Sequence, residues 1–353
     1  MIKTRMTELF GIEHPIMLAG MNWITDTKLV TAVCNAGGLG VFATARCTPE
    51  EMRENIREIR RLTDRPFGVN CILNGPGGPA NVQVAIEEKV PVLNYTLGKP
   101  WFIDQVHAYG GKVIGTTALV KHAQKAAELG CDAVIVTGHE AAAHGDKATS
   151  MILVPMAAST IKVPVIAAGG FYRGRSLAAA LSLGAGGISM GSRFMMTQES
   201  CLHENFKKLC LAATEQDTIY DTVFDGMLGR ALKSKGAEEL QKQGFPLFEA
   251  VKAASQLRKI LNLSYPQFLA LSLKMMSAGE DSKMLWVQAR QAVGAIRHLK
   301  AINEGNTEHG ILFAGQAIGG IADVPTVKEL IDSVITEAEE TIAKLNTMVQ
   351  KKK

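Results

Sequence analysis

The sequence predicts a (β/α)₈ TIM barrel interrupted late by a helical insertion, and three observations carry that expectation. Short apolar runs recur eight times at intervals of roughly 20–30 residues, each followed by an amphipathic stretch, as a closed barrel requires. The runs are apolar throughout rather than alternating, which suits a parallel sheet buried on both faces. No G-x-G-x-x-G fingerprint follows the first run, where the rival architecture, a doubly wound open sheet, would usually carry it.

The runs expected as strands are His14–Ala19, Leu39–Thr44, Pro66–Ile72, Val90–Tyr95, Lys112–Thr116, Ala133–Thr137, Val163–Ala168 and Gly187–Gly191. Helical patterns lie between them. Asp26–Ala36 opens on a capping Asp and ends at Gly37-Gly38, and Pro49–Leu62 follows a Thr48 cap with Pro in its first turn. Ala118–Leu129 and Arg173–Leu183 each stop at a glycine. From 202 to 302 the pattern turns mostly helical, with the Met-rich LSLKMMSAGEDSKMLW and few β-branched runs. Thr326–Val349 then resumes a 3.6-residue period. The expected organisation is a barrel of residues 1–201 and 303–353 and a helical substrate or lid subdomain of 202–302.

With 353 residues, 47% apolar and 20% charged, the chain can bury a large core. Its net charge of +4 is small and its one basic block, Lys351-Lys352-Lys353, is a tail, so nucleic acid is not an expected partner. Six scattered cysteines without a C-x-x-C pair read as reduced thiols in a cytoplasmic protein. The first residues lack the apolar core of a signal peptide, and no segment approaches the ~18 apolar residues of a membrane span. The expected partner is a small molecule, and the expected assembly a homodimer, on the prevalence of two-fold symmetry alone.

In a barrel, chemistry collects in the loops after the strands, and a phosphate commonly sits after strands 7 and 8. Those loops read Ala167-Ala168-Gly169-Gly170-Phe171 and Met190-Gly191-Ser192-Arg193-Phe194. Glycine lets backbone N–H groups approach an anion closely, and Ser192 adds a hydroxyl. One glycine pair would be an ordinary turn; two, at these two positions, point to a phosphate-bearing ligand. The loop after strand 6 carries His139-Glu140-Ala141-Ala142-Ala143-His144. That spacing is one residue longer than the zinc-protease motif and sets its histidines roughly 140° apart on a helix, so no metal is expected. His144, among small residues that leave room for a flat ring, is the first candidate for a general base, with His139 in reserve. The remaining histidines, His298 among them, read as structural. Strand 1 delivers Gly20, Met21 and Asn22, and strand 3 delivers Asn70, whose amide can meet the edge of a heteroaromatic ring. Gln316, in the late glycine-rich segment Ala314–Gly320, either returns to that ring or turns into the last helix.

Taken together, TRMTELFGIEHPIMLAGMNWI, AVCNAGGLGV, LTDRPFGVN, GHEAAAHG, VPVIAAGGF, GAGGISMGSRF and FAGQAIGGI occur in order over nearly the whole chain. The sequence resembles the nitronate monooxygenase (2-nitropropane dioxygenase) family, which includes FMN-dependent enoyl-acyl-carrier-protein reductase II and NAD(P)H:quinone reductase members. The resemblance implies a TIM barrel with non-covalent FMN. By motif, Gly20, Met21 and Asn22 would lie against the isoalloxazine, with Ala142 beside it and Asn70 near its polar edge. Gly169, Gly170, Gly191 and Ser192 would hold the phosphate, Gln316 would reach the flavin, and His144 would be the active-site histidine. The chain departs from the family at Ala19-Gly20 and at Ala142-Ala143, where glycines are usual, and at Gly115, where many members carry a lysine. Ala231–Leu299 matches none of these motifs and is expected to set the substrate.

The leading expectation is therefore an FMN-dependent oxidation of alkyl nitronates with O₂, His144 taking a proton from neutral nitroalkanes. The alternative is NAD(P)H-dependent reduction of an enoyl thioester or a quinone. Outside the class stand a flavin-free barrel lyase or isomerase holding its substrate's own phosphate, and a carrier without turnover.

Overall fold

The computed structural model describes residues 2–45, 47–75, 77–142, 144–243 and 283–348, with 258, 264–267, 269, 270 and 273 between them. Among these, eight parallel strands form the barrel: β1 (Ile16–Leu18), β2 (Gly40–Ala43), β3 (Phe67–Ile72), β4 (Val92–Thr96), β5 (Lys112–Thr117), β6 (Ala133–Thr137), β7 (Val165–Ala168) and β8 (Gly187–Met190). They are joined in the order β1-β8-β7-β6-β5-β4-β3-β2. The ring closes where Leu39 N donates to Ile16 O and Leu18 N to Leu39 O, each at 2.9 Å. The expected strands match these within two residues at each end.

Both faces of each strand are buried, which is why the runs read as continuously apolar. Met17, Ile114, Ile135 and Ile166 belong to the cluster inside the barrel. Their neighbours Ile16, Val113, Val134 and Val165 belong to the outer cluster, under the helices. The inner cluster also takes Met6 and Phe10 from α1 (Arg5–Phe10), a helix the sequence reading passed over. The Met6 sulfur occupies the place where a Cβ on Gly187 would stand, so α1 plugs the floor of the barrel.

Around the strands lie α2 (Thr27–Asn35), α3 (Pro49–Leu62), α4 (Gly78–Glu87), α5 (Ile103–Ala108), α6 (Val120–Glu128), α7 (Ser150–Thr160), α8 (Gly174–Ser182) and the short α9 (Ser192–Met195). The capping signals act as written. Asp26 accepts from Leu29 N at 2.9 Å, and Thr48 with Glu51 makes a capping box on α3. After α10 (Glu204–Leu211) comes an antiparallel pair absent from the helical expectation, β9 (Thr218–Asp221) and β10 (Gly229–Leu232). It is followed by α11 (Lys235–Gln243) and α12 (Lys283–Glu304), numbered among the described residues. Most of the Met-rich stretch, 271–282, lies outside them. Val223, Phe224, Ala231, Leu240, Val293 and Ile311 make a third apolar cluster, apart from the two of the barrel. A 3₁₀ turn (Gln316–Gly320) and α13 (Val327–Met348) complete the chain. Gly174 has no side chain to hold off the Ala338 amide, so α13 packs closely on α8. No helix among the described residues is long and apolar enough to cross a membrane.

Candidate active site

At the carboxyl end of the barrel the polar residues of β3, β4 and β5 form one ladder. Asn70 Nδ2 donates to Asn94 Oδ1 at 2.7 Å, and Asn94 Nδ2 reaches Thr116 Oγ1 at 2.8 Å and Ile114 O at 3.1 Å. Asn70 and Asn94 are 5% and 2% exposed, so these bonds fix both amides. Asn70 Oδ1 remains turned toward Gly20, where a Cβ would come within 2.7 Å of the Asn70 Cβ. Gly20 is thus a glycine first because Asn70 lies on it. The turn beyond is stapled by Thr25, whose Oγ1 donates to Met21 O at 3.1 Å and accepts from Ala43 N at 3.2 Å. Within it Trp23 takes a left-handed φ of 63°, and its buried Nε1 has no partner.

The loops after β7 and β8 stand beside this floor. Gly169 and Gly170 have φ of 97° and 82°, a region that favours glycine. A Cβ on Gly169 would also meet Gly138 O at 3.0 Å and Ser150 Oγ at 3.1 Å. Gly191 is different. Its φ of −102° suits any residue, and its nearest neighbour would be Met21 Sδ at 3.5 Å, an ordinary contact. Neither backbone nor packing demands glycine there, so the cradle fits a ligand that comes close to the chain. Ser192, Arg193 and Phe194 open α9, and their N–H groups have no helical acceptor. Ser192 Oγ accepts from Gly315 N at 2.9 Å and keeps its own proton to donate. Arg193 is buried, which pushes its guanidinium below the ordinary value, and Asp323 opposes that at 2.8 Å. These residues could hold a phosphate. Gln316 N donates to Glu140 O at 2.9 Å, so the late segment closes over both loops with the Gln316 side chain half-buried.

The loop after β6 is held by the β9–β10 hairpin. Arg230 N donates to Ala142 O at 2.8 Å, Arg230 Nη2 to His139 O at 3.1 Å, and Tyr220 Oη to Gly145 O at 2.6 Å. His139 is built into this clamp, with Nδ1 on Asp146 O at 3.1 Å and its ring edge-on to Tyr220. Glu140 caps α7, its carboxylate accepting from Ser150 N at 2.9 Å and Ser150 Oγ at 3.0 Å. His144 is one-third exposed. Its Nδ1 donates to Leu228 O at 3.1 Å, and its Nε2 stands 3.4 Å from Asp225 Oδ2. Burial pushes the Asp225 carboxyl above the ordinary carboxylate range, opposed by His144 and by the Met227 N–H.

The structure thus brings together Gly20 with Asn70, Met21 with Gly191, and Ser192 and Gln316 with the loops after β8 and β6. Asn22 lies over α12, where its backbone meets the buried His298. Ala143 lies outside the described residues. Gly115 faces away from the mouth, toward the Ala126 methyl and the Tyr95 hydroxyl, and Thr116 is its inward neighbour. Asp225, Tyr220 and Arg230 were missed in the sequence. A partial signal was there: Asp225-Gly226 marks a turn, with Gly226 at a φ of 84°, but the strands are joined by seven residues, too many for the two-residue hairpin pattern. Among the described residues no group of three His, Cys, Asp or Glu side chains could hold a metal.

Comparison with known proteins matches residues 3–78 and 77–337 to the nitronate monooxygenase family model. The chain is 37% identical to "(3aS,4S,5R,7aS)-5-hydroxy-7a-methyl-1-oxo-octahydro-1H-indene-4-carboxyl-CoA dehydrogenase" of Rhodococcus jostii, over 98% of this chain and 99% of that one. A "Probable nitronate monooxygenase" of Staphylococcus aureus is 29% identical, over 68% of this chain and 81% of that one. Among solved structures, FabK from Thermotoga maritima superposes with a TM-score of 0.82 at 33% identity, covering 99% of this chain and all (100%) of its own.

Proposed function

Since the chain belongs to the nitronate monooxygenase family and is an oxidoreductase, we propose that it uses FMN to oxidise a hydroxyl-bearing acyl thioester, with His144 handling the proton. The observation that carries the thioester is the extent of likeness. The carboxyl-CoA dehydrogenase matches the chain end to end, the insertion included, whereas the nitronate-named relative matches about two-thirds of it.

When bound, FMN would supply a ring that accepts or gives a hydride. The chain's residues divide the remaining work. Gly169, Gly170, Gly191 and Ser192 would hold the phosphate, Gly20, Met21 and Asn22 would pack on the ring, Asn70 would offer Oδ1 to its polar edge, and Ala142 and Gln316 would border it. In His144 the Leu228 carbonyl keeps the proton on Nδ1, so Nε2 is the atom that accepts the substrate hydroxyl proton. Asp225 stands ready for the resulting imidazolium. The flavin-free lyase is disfavoured because, among the described residues of the mouth, Glu140 is held by Ser150 and Asp225 faces His144 rather than a second carboxylate.

Nitronate oxidation is the second reading, favoured by the family the chain belongs to; NAD(P)H-driven reduction of an enoyl thioester or a quinone would use the same flavin site. The test is the visible spectrum of the purified protein, followed by anaerobic mixing with three probes. Bleaching by a cyclic β-hydroxyacyl-CoA supports the proposal. Bleaching by propyl-2-nitronate alone moves the assignment to the second reading, and bleaching by NADH or NADPH alone to a reductase. A colourless protein that FMN does not restore would overturn the cofactor itself.

A further inference from the structure

We propose that Asp225, in the turn of the β9–β10 hairpin, is a positioning residue that stands at Nε2 of His144 and supplies the counter-charge that holds the ring in its protonated form. The inference rests on the reading of His144 as the proton-handling group. Four observations carry it. The imidazole is flanked at both nitrogens by a single turn: Nδ1 donates to Leu228 O, and Nε2 stands 3.4 Å from Asp225 Oδ2, which pairs with it once the ring is protonated. A carbonyl only accepts, so Nδ1 carries the proton and Nε2 keeps its lone pair for the reaction. The Asp225 carboxylate is itself fixed, its Oδ1 accepting from Met227 N at 3.1 Å. And Asp225 is largely buried, its side chain 17% exposed against 33% for His144, so the histidine is the member of the pair that faces outward.

Among the described residues, other charged and titratable groups of the elements packed here are engaged elsewhere, Asp221 on Val223 N and Gln241. Arg230 is on Thr218 Oγ1 and His139 O, Tyr220 on Gly145 O, His139 on Asp146 O, Glu140 on Ser150, and Arg290 of α12 on Thr222 O. Among the described residues, Asp225 is the charge in contact with the imidazole. Its position is also expensive for the fold. Burial raises the carboxyl above its unfolded value, so folding favours the neutral acid, and stability is lost as pH rises through the folded value.

Asp225→Asn keeps the shape and the acceptor for Met227 N but removes the charge, and its amide can cover the Nε2 lone pair. Turnover of the cyclic β-hydroxyacyl-CoA, with an added electron acceptor such as a quinone to reoxidise the flavin, is expected to fall on the order of 10–100-fold, with KM and FMN content little changed. Melting of the FMN-free protein at neutral pH is expected to be unchanged or higher than the parent's, the difference closing as pH falls. A purely structural Asp225 would give the opposite, a lower melting temperature with turnover falling only as far as folded protein is lost. Asp225→Glu, which restores the charge, should recover part of the rate. If Asp225→Asn turns over within twofold of the parent, or melts lower, the inference is wrong. His144→Gln separates it from the reading beneath: full turnover in that variant removes His144 from the chemistry, whereas loss there beside normal turnover in Asp225→Asn removes Asp225 alone.

Discussion

Gly191 and Gly169 are both glycines in the phosphate loops, and the physical reasons for them differ. Gly169 combines a φ of 97° with close approach to Gly138 O and Ser150 Oγ, so an added Cβ strains the backbone and collides. Gly169→Ala should lower stability by about 1–3 kcal/mol, with or without FMN. Gly191 has room for a methyl and an unremarkable φ. Gly191→Ala should leave the melting temperature of FMN-free protein where it was while weakening FMN at least tenfold, read by flavin fluorescence on titration. Equal affinity in parent and variant would show that the cradle at α9 holds nothing. The sequence displayed both glycines identically; only φ and the neighbouring atoms separate them. The same limit applies at Gly20, where the flavin motif and contact with Asn70 ask for the same residue, and at Gly115, whose outward facing follows from the barrel's register rather than from any local pattern.

Capping signals made α2 and α3 legible because a helix start is a local event, settled by residues three apart. The β9–β10 hairpin was not, because its strands have four residues each and its reason for existing is distant. It clamps the loop after β6 through Tyr220, Arg230 and Leu228. Arg230 is the centre of the clamp: 4% exposed, bonded to Thr218 Oγ1 and His139 O, and stacked over the Tyr220 ring at 5.1 Å. Burial lowers its pKa, and Tyr220 and Glu140 counter that. A lysine cannot span two acceptors with a planar fork, and it loses the ring contact. Arg230→Lys is therefore expected to destabilise the protein by roughly 2–4 kcal/mol and to expose residues 138–142 and 144–146 to hydrogen exchange. Exchange in that loop no faster than in the parent would place the clamp elsewhere.

At the scale of the whole molecule the barrel was legible because each strand repeats one requirement, burial on two faces, eight times over. The region after α10 repeats nothing, and its apolar cluster, separate from the two in the barrel, could not be assigned from composition. His298 links the two parts. It sits on α12 at 4% exposure, with Nδ1 on Ile311 O at 3.0 Å, its ring edge-on to Trp23 and Phe313, and the Asn22 backbone within reach. Burial lowers its pKa from 6.5 to about 4. The native state thus holds it neutral in a range where the unfolded chain binds a proton, so its contribution is complete above pH 6.5 and is lost as pH falls toward about 4. Over that window the loss can reach about 3 kcal/mol. Because the charge would appear between α12 and the turn that carries Met21 and Asn22, α12 should loosen before the barrel does. Hydrogen exchange between pH 7 and 4.5 should accelerate in 287–304 while β4 to β7 stay protected, and His298→Gln should flatten that dependence. Simultaneous opening of α12 and the strands would show instead that the two parts melt as one cooperative unit, with His298 an ordinary member of a common core.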